Sequence, residues 1–299
     1  MDTRLNHLPE EKRRELSEIT SIIKKSVNAE KIILFGSYAR GDWVEDKYKE
    51  GHITYEYKSD MDILVVVKKN GTANMRLWEK LEQTIHQSKS IKTDVSIIAH
   101  GIAEVNKKLS EGQYFFSDIV KEGIVLYDSG SFKFAERKKL TPSERKAIAE
   151  RDFNNWYESA LGYHDQHKYA MSKKQYRIAV FELHQVVERT YAAILLTFTQ
   201  YKPRIHDIEK LGKLVIDQDH QFLTIFPIQN EFQKRCFLRL KRAYTEARYD
   251  MNYKIQKEEL EYLFDRVEKL LKIAKDVCEQ KIQSFVMTKE RSVLVSETK

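Results

Sequence analysis

The chain has 299 residues, of which 41% are apolar and 32% charged, with 10 glycines and 4 prolines. This composition excludes a disordered, collagen-like or low-complexity protein. Aliphatic runs such as residues 63–67 are far shorter than the roughly 20 residues that a membrane-spanning helix needs. The N-terminal sequence has no apolar segment typical of a secretory signal, and Cys236 and Cys278 lie in basic, helical sequence. We therefore expect a cytoplasmic protein with reduced thiols and no membrane segment.

The two parts of the chain differ in charge. Residues 1–130 contain 20 basic and 21 acidic side chains, whereas residues 131–299 contain 32 and 24, which places a net charge of +8 in the second part. Such an asymmetry is typical of a surface for RNA or another polyanion. A solvated helix surface rich in lysine explains the charge equally well.

The hydrophobic pattern of the first part alternates between helical and strand periods. Residues 9–28 have apolar positions at helical spacing, and residues 72–87 also have a helical pattern. Short β-branched runs predict buried strands, with a weaker edge strand last; these four strands are predicted at residues 31–35, 61–67, 93–99 and 123–127. The pattern predicts an α+β domain over residues 1–128, with a mixed sheet and flanking helices.

The second part has no strand signal. A polar, basic linker is predicted over residues 129–142, an all-α helical bundle over 143–285 and a frayed tail over 286–299. The two prolines within the bundle, Pro203 and Pro227, are expected at helix junctions.

A cluster of chemically informative residues follows the first predicted strand. Gly36 and Ser37 end that strand and open a helix, where backbone N–H groups favour a phosphate. Asp60 and Asp62 stand two residues apart on the next strand, so that both carboxylates are expected on one face. A third carboxylate, Asp94, stands at the start of the following predicted strand.

Clustered carboxylates repel one another, and a divalent cation relieves that repulsion. Mg²⁺ binds through one or two carboxylates together with substrate phosphates, and Asp94 would allow a second ion. Arg40 either contacts a phosphate or pairs with a carboxylate and fixes the turn. The pattern predicts a two-ion magnesium site for a nucleoside triphosphate (NTP).

Three motifs in this order resemble the nucleotidyltransferase fold of the DNA polymerase β superfamily, and most closely its minimal nucleotidyltransferases. They are FGSYARG at 35–41, SDMDILVVV at 59–67 and TDVSII at 93–98. The resemblance implies that Asp60, Asp62 and Asp94 are catalytic metal ligands and that Gly36, Ser37 and Arg40 bind the nucleotide. It also implies transfer of a nucleoside monophosphate from an NTP to a hydroxyl.

The chain departs from the usual spacing of this family, because 22 residues separate Ser37 from Asp60. We interpret residues 42–58 as an inserted hairpin beside the site. Its aromatic side chains either stack on a base or pack within the hairpin; they are Trp43, Tyr48, Tyr55 and Tyr57.

The helical part resembles a HEPN domain, a bundle often linked to minimal nucleotidyltransferases. The matching stretches are FELHQVVERTYAAILL at 181–196, RIHDIEKLGKL at 204–214 and RAYTEARY at 242–249. Many HEPN proteins are ribonucleases with a late motif of the form Arg-polar-x₄-His, but no histidine follows His220 here. The pair Arg177 and His184 has a similar spacing on an earlier helix, where His184 is better interpreted as a packing residue.

The functional prediction is a metal-dependent nucleotidyltransferase. The alternative is a regulatory or antitoxin-like protein, or a HEPN module that binds RNA or a nucleotide, without its own ribonuclease activity. The acceptor hydroxyl could belong to a small molecule, a protein or an RNA end.

A late helix is predicted over residues 238–253 and is rich in Tyr and Arg. This composition is typical of an interface and predicts a homodimer through the helical domain. Packing of this segment inside its own bundle is the other interpretation.

Overall fold

The computed structural model describes residues 3–43, 45–50, 53–69, 75–203 and 205–296. The chain divides into two compact units, and the main boundary lies between Lys139 and Leu140. No helix among the described residues is both long and apolar enough to cross a membrane.

The first unit is built around a mixed four-stranded sheet. Six strands are formed by the described residues: β1 (Ala29–Phe35), β2 (Glu45–Glu50), β3 (Ile53–Lys58), β4 (Met61–Val67), β5 (Val95–Gly101) and β6 (Ile124–Asp128). The order in the main sheet is β5-β4-β1-β6. Strand β1 pairs antiparallel with β4 and β6, whereas β4 and β5 are parallel. Strands β2 and β3 form a separate hairpin, as the sequence predicted.

Helices cover both faces of this sheet, because alternate side chains of its strands are apolar on either face. They are α1 (Glu10–Ser26), α2 (Gly36–Arg40), α3 (Met75–His86), α4 (Ile102–Ser110) and α5 (Tyr114–Glu122). On β4, Met61, Ile63 and Val65 share a buried cluster with Leu16 of α1 and with α3. The alternate residues of β4 face the other side of the sheet, and α4 and α5 also contact its strands.

The second unit is entirely helical among its described residues after Leu140. Its helices are α6 (Pro142–Ser172), α7 (Tyr176–Thr199), α8 (Ile208–Ile216), α9 (Glu231–Arg242), α10 (Glu246–Tyr249) and α11 (Lys257–Ser296), with a 3₁₀ turn at His220–Thr224. Helix α6 begins with a capping box, in which Thr141 and Glu144 satisfy each other's backbone N–H groups. Asp207 caps α8, as expected. The predicted fold class, a mixed sheet with flanking helices followed by an all-α bundle, is confirmed.

The second unit differs from the sequence prediction in two places. The backbone of α11 continues to Ser296 through the predicted tail, since its sequence contains no glycine or proline to end the helix. The predicted late helix over 238–253 is also interrupted. Helix α9 ends at Arg242, and no helix other than the short α10 forms before Lys257 in this fully described stretch.

Candidate active site

The turn after β1 has a backbone conformation that requires glycine. Gly36 has φ +72°, in the left-handed region that side chains disfavour. The chain then forms the five-residue helix α2, which ends at Gly41 with φ +84°. Gly36 and Ser37 therefore lie at the end of a buried strand, where the sequence placed them.

Asp62 lies directly against this turn. The antiparallel register pairs Asp62 with Phe35, the last residue of β1. A Cβ atom at Gly36 would stand 2.3 Å from Asp62 Oδ2, and Asp62 is only 6% exposed. The structure thus brings the predicted phosphate-binding turn and one predicted metal ligand into direct contact, and the absence of a side chain at Gly36 makes that contact possible.

Asp60 and Asp94 lie at the same end of the sheet. Asp60 immediately precedes β4 and is half-buried. The backbone N–H of Met61 donates to the carbonyl of Asp94 at 2.8 Å, so that residues 60 and 94 are neighbours across the parallel pair. The Asp94 side chain is 56% exposed, with Oδ1 3.8 Å from Nδ1 of His86.

The three carboxylates do not form one compact ligand set. Within the part of the chain that the structure describes, no three His, Cys, Asp or Glu side chains are grouped so that they could hold a metal ion. Mg²⁺ itself needs only one or two protein carboxylates when phosphates and waters complete its octahedron. The oxygen donors of Asp60 and Asp62, next to the turn at Gly36, fit that requirement.

Arg40 is held by a neighbouring carboxylate. Its Nε donates to Asp42 Oδ2 at 3.1 Å, and both side chains are exposed. This is the second of the two interpretations given for Arg40, in which it fixes the turn after α2.

The inserted hairpin begins with a packing residue. The ring of Trp43 stacks on that of Tyr38, with centroids 5.4 Å apart and planes inclined by 10°. Tyr38 is 1% exposed. Trp43 therefore packs beside the turn. The structure describes the backbone of Tyr48, Tyr55 and Tyr57 but not their side chains, so the role predicted for them stays a prediction.

Sequence reasoning missed two side chains at this end of the sheet. Lys12 Nζ donates to Thr93 Oγ1 at 2.6 Å, and His86 is near Asp94. Both come from helices that pack next to the sheet, and neither has a spacing or motif that marks it in the sequence.

Arg177 and His184, the pair with ribonuclease-like spacing, are not available to act on RNA, because His184 is fully buried. His184 is fully buried, its Nδ1–H donates to the Leu240 carbonyl at 2.9 Å, and burial lowers its pKa below the ordinary value. Arg177 donates to the carbonyls of Ala247 and Asp250. Both residues serve packing, as the sequence indicated for His184.

The Tyr/Arg-rich segment is divided between core and surface. Tyr253 is buried and its hydroxyl donates to the Arg239 carbonyl at 2.8 Å. The ring of Tyr244 stacks on His206 at 4.2 Å. Tyr249 remains 74% exposed. The expectation that all three tyrosines lie on one late helix is wrong, because tertiary contacts bend the segment back on its own bundle. The homodimer stays a prediction.

Family models match both parts of the chain. The model described as "Polymerase beta, Nucleotidyltransferase" matches residues 17–131, and the model described as "HEPN domain" matches residues 153–277. The chain therefore carries a polymerase beta nucleotidyltransferase domain followed by a HEPN domain, and the resemblance inferred from its motifs is confirmed. A comparison with curated proteins finds no match.

Proposed function

We propose that the protein is a metal-dependent nucleotidyltransferase, which moves a nucleoside monophosphate from an NTP to a hydroxyl and releases pyrophosphate. The observation that supports this most directly is the contact between Asp62 and the Gly36 turn, since it joins a carboxylate to a backbone that a phosphate can approach closely. The match to the nucleotidyltransferase family supports the same reaction class.

In this proposal each residue has one role. Asp60 and Asp62 would hold Mg²⁺, Asp94 would complete a two-ion site, and the backbone of Gly36 and Ser37 would hold the triphosphate. When bound, Mg²⁺ supplies neutralisation of phosphate charge and a lowered pKa for the attacking hydroxyl. Arg40 would contribute to nucleotide binding by fixing the turn through Asp42.

The acceptor is a hydroxyl of a small molecule, a protein or an RNA end. We further propose a cytoplasmic homodimer that pairs through the helical domain, with the basic second part available to RNA or a protein partner.

One observation favours the alternative, a regulatory or antitoxin-like binding module. A two-ion site would place Asp94 close to the other two carboxylates, yet the described residues contain no metal-holding group of three such side chains. In this alternative the nucleotidyltransferase domain has an antitoxin-like role, and the HEPN domain binds RNA, a nucleotide or a protein without cleaving RNA.

Incubation with each of the four α-³²P-labelled NTPs and Mg²⁺ separates the two proposals. An enzyme places label on the protein itself, on added RNA or on a small molecule, whereas a binding module leaves all label in the NTP. Asp60→Asn and Asp62→Asn should each abolish transfer without unfolding the protein. Asp152→Asn, which alters a carboxylate paired with Arg151 in the helical unit, should leave transfer unchanged. Transfer retained by the folded Asp62→Asn protein contradicts the site.

A further inference from the structure

The ammonium group of Lys12 lies between two segments that carry predicted site residues. Its Nζ donates to the Thr93 hydroxyl at 2.6 Å, and Thr93 immediately precedes Asp94. The same Nζ lies 5.9 Å from the centroid of the Tyr38 ring, and Tyr38 immediately follows Ser37. A half-buried positive charge from α1 therefore lies at the end of the sheet where the nucleotide and metal residues are predicted.

Contacts on either side of Lys12 hold this part of α1 in place. One residue before Lys12 and three residues after it, α1 binds the segment that leads into β5. Glu11 Oε1 accepts from Lys92 Nζ at 2.8 Å, and the buried Glu15 accepts from the backbone N–H of Lys92 at 3.3 Å. The Glu15 bond uses the backbone of Lys92 and holds the first turns of α1 on residues 92–93, whereas the exposed pair of Glu11 and Lys92 side chains contributes little.

The predicted site has little positive charge of its own, because Arg40, the basic residue among the predicted nucleotide-binding residues, pairs with Asp42. Asp60 and Asp62 are both acidic, and an NTP adds up to about four negative charges at neutral pH. Mg²⁺ offsets part of this charge, and a nearby ammonium group would offset more. Lysine suits such a role because its compact charge sits on a flexible stem with three N–H donors.

We propose that Lys12 is a substrate-binding residue that contacts a phosphate group of the NTP. This inference rests on the proposed nucleotidyltransferase function and adds the cation that would bind the triphosphate. On binding, Nζ would donate to a phosphate oxygen. A hydrogen bond between two charged groups is stronger than one to a neutral hydroxyl such as that of Thr93.

Equilibrium binding measured on the full chain tests this proposal. The Kd of each NTP with Mg²⁺, and that of the matching nucleoside by competition, are determined for the wild type, Lys12→Met, Lys12→Arg and Lys92→Ala. We expect Lys12→Met to raise the Kd of the NTP about tenfold and leave that of the nucleoside unchanged. Lys12→Arg keeps the charge and should retain most of the affinity. Lys92→Ala removes the adjacent exposed ammonium group and should have no effect.

Three results would overturn the assignment. If the wild type binds and transfers NTP and Lys12→Met binds it equally well, Lys12 has no contact with phosphate and the proposed function stands. If Lys12→Met weakens NTP and nucleoside by the same factor, with a lower melting temperature, Lys12 acts only in the fold. If the wild type binds no NTP, the proposed function itself fails, and the role of Lys12 fails with it.

Discussion

Asp62 Oδ2 occupies the space where a side chain at Gly36 would begin. The distance from an added Cβ to this oxygen would be 2.3 Å, well inside van der Waals contact. Because Gly36 directly follows β1, whose last residue Phe35 pairs with Asp62 of β4, the turn and the carboxylate are held next to each other. The shape of the proposed phosphate-binding turn therefore depends on the position of Asp62, the proposed metal ligand.

Gly36→Ala should abolish transfer by displacing Asp62. We expect activity to fall by about 100-fold or more, since a shift of about 1 Å in a reacting group has that effect. The positive φ adds about 1–2 kcal/mol of strain. Gly130→Ala is the matched control, because Gly130 has φ +76° and no atom within 4 Å of its added Cβ. It should lose similar stability and keep full activity. Equal activity in the two variants would contradict the coupling.

The ion pair between Lys31 and Asp128 should stabilise the first unit in a pH-dependent way. Lys31 Nζ lies 2.6 Å from Asp128 Oδ2, and the Lys31 side chain is only 7% exposed. This bond holds the pKa of the Asp128 carboxyl below its ordinary value of 3.8. The folded state therefore favours the ionised form, and the stabilisation is present above the unfolded pKa and lost as pH falls through the folded one.

Asp128→Asn should lower the free energy of unfolding by about 1–2 kcal/mol at neutral pH. The effect should be smaller than for a fully buried ion pair, because solvent screens the half-exposed Asp128. Urea unfolding of both proteins measures the difference. It should be constant from about pH 5 to 7 and shrink below about pH 4. A difference that does not change with pH would mean that the carboxylate charge is unimportant.

Both cysteines should resist alkylation in the folded protein. Burial raises the pKa of the Cys236 thiol to about 11 and that of Cys278 to about 12, so neither forms appreciable thiolate near neutral pH. We expect no modification by iodoacetamide until denaturant is added, when mass spectrometry should show two adducts. Rapid labelling of either native thiol would show that its helix opens locally.

The purified protein should not cleave RNA in the presence of EDTA. His184 is fully buried, and the late arginines make local contacts, Arg242 with Glu246 and Arg248 with the Tyr244 carbonyl. A labelled RNA should remain intact on a denaturing gel. Cleavage that disappears in Arg242→Ala or Arg248→Ala would restore the ribonuclease interpretation.

The surface available for the predicted homodimer is smaller than the sequence indicated, because Tyr253 of the late segment is buried. Of the late segment, Tyr249 and Met251 are exposed by 74% and 89%. Light scattering should give a dimeric mass for the wild type and a monomeric mass for the double variant Tyr249→Asp, Met251→Asp. Ile228→Asp, at another exposed apolar position, should stay dimeric. A monomeric wild type at tens of micromolar refutes the prediction.

Local sequence was sufficient to predict the elements that position the site. The apolar runs of β1 and β4 predict central strands, and the glycine after β1 predicts a turn facing Asp62, as observed. The contribution of Lys12 could not be predicted, because it depends on where α1 packs. The Asp94 carboxylate was expected in the site. The structure places it near His86 of α3, and strand alternation alone does not predict a contact with a helix.

The prediction for the late segment, residues 238–253, was wrong for a related reason. Its residues have acceptable helix propensity and a helical pattern, which predicted one helix over 238–253. The buried ring of Tyr253 and its bond to the Arg239 carbonyl instead hold the chain in a tight return. Asp250 stabilises that return by accepting from the Asn252 N–H at 2.8 Å. Tertiary burial outweighed local propensity here.

The stacking of Trp43 on Tyr38 gives the protein a built-in optical probe. The chain contains three tryptophans, at positions 43, 78 and 156. With Trp78 and Trp156 replaced by phenylalanine, all indole emission arises from a ring stacked on the residue next to Ser37. Because Tyr38 belongs to the same short helix as the turn, a ligand that reshapes the turn changes the environment of that indole. The emission of Trp43 would thus report the proposed nucleotide binding in real time, without a label on either molecule.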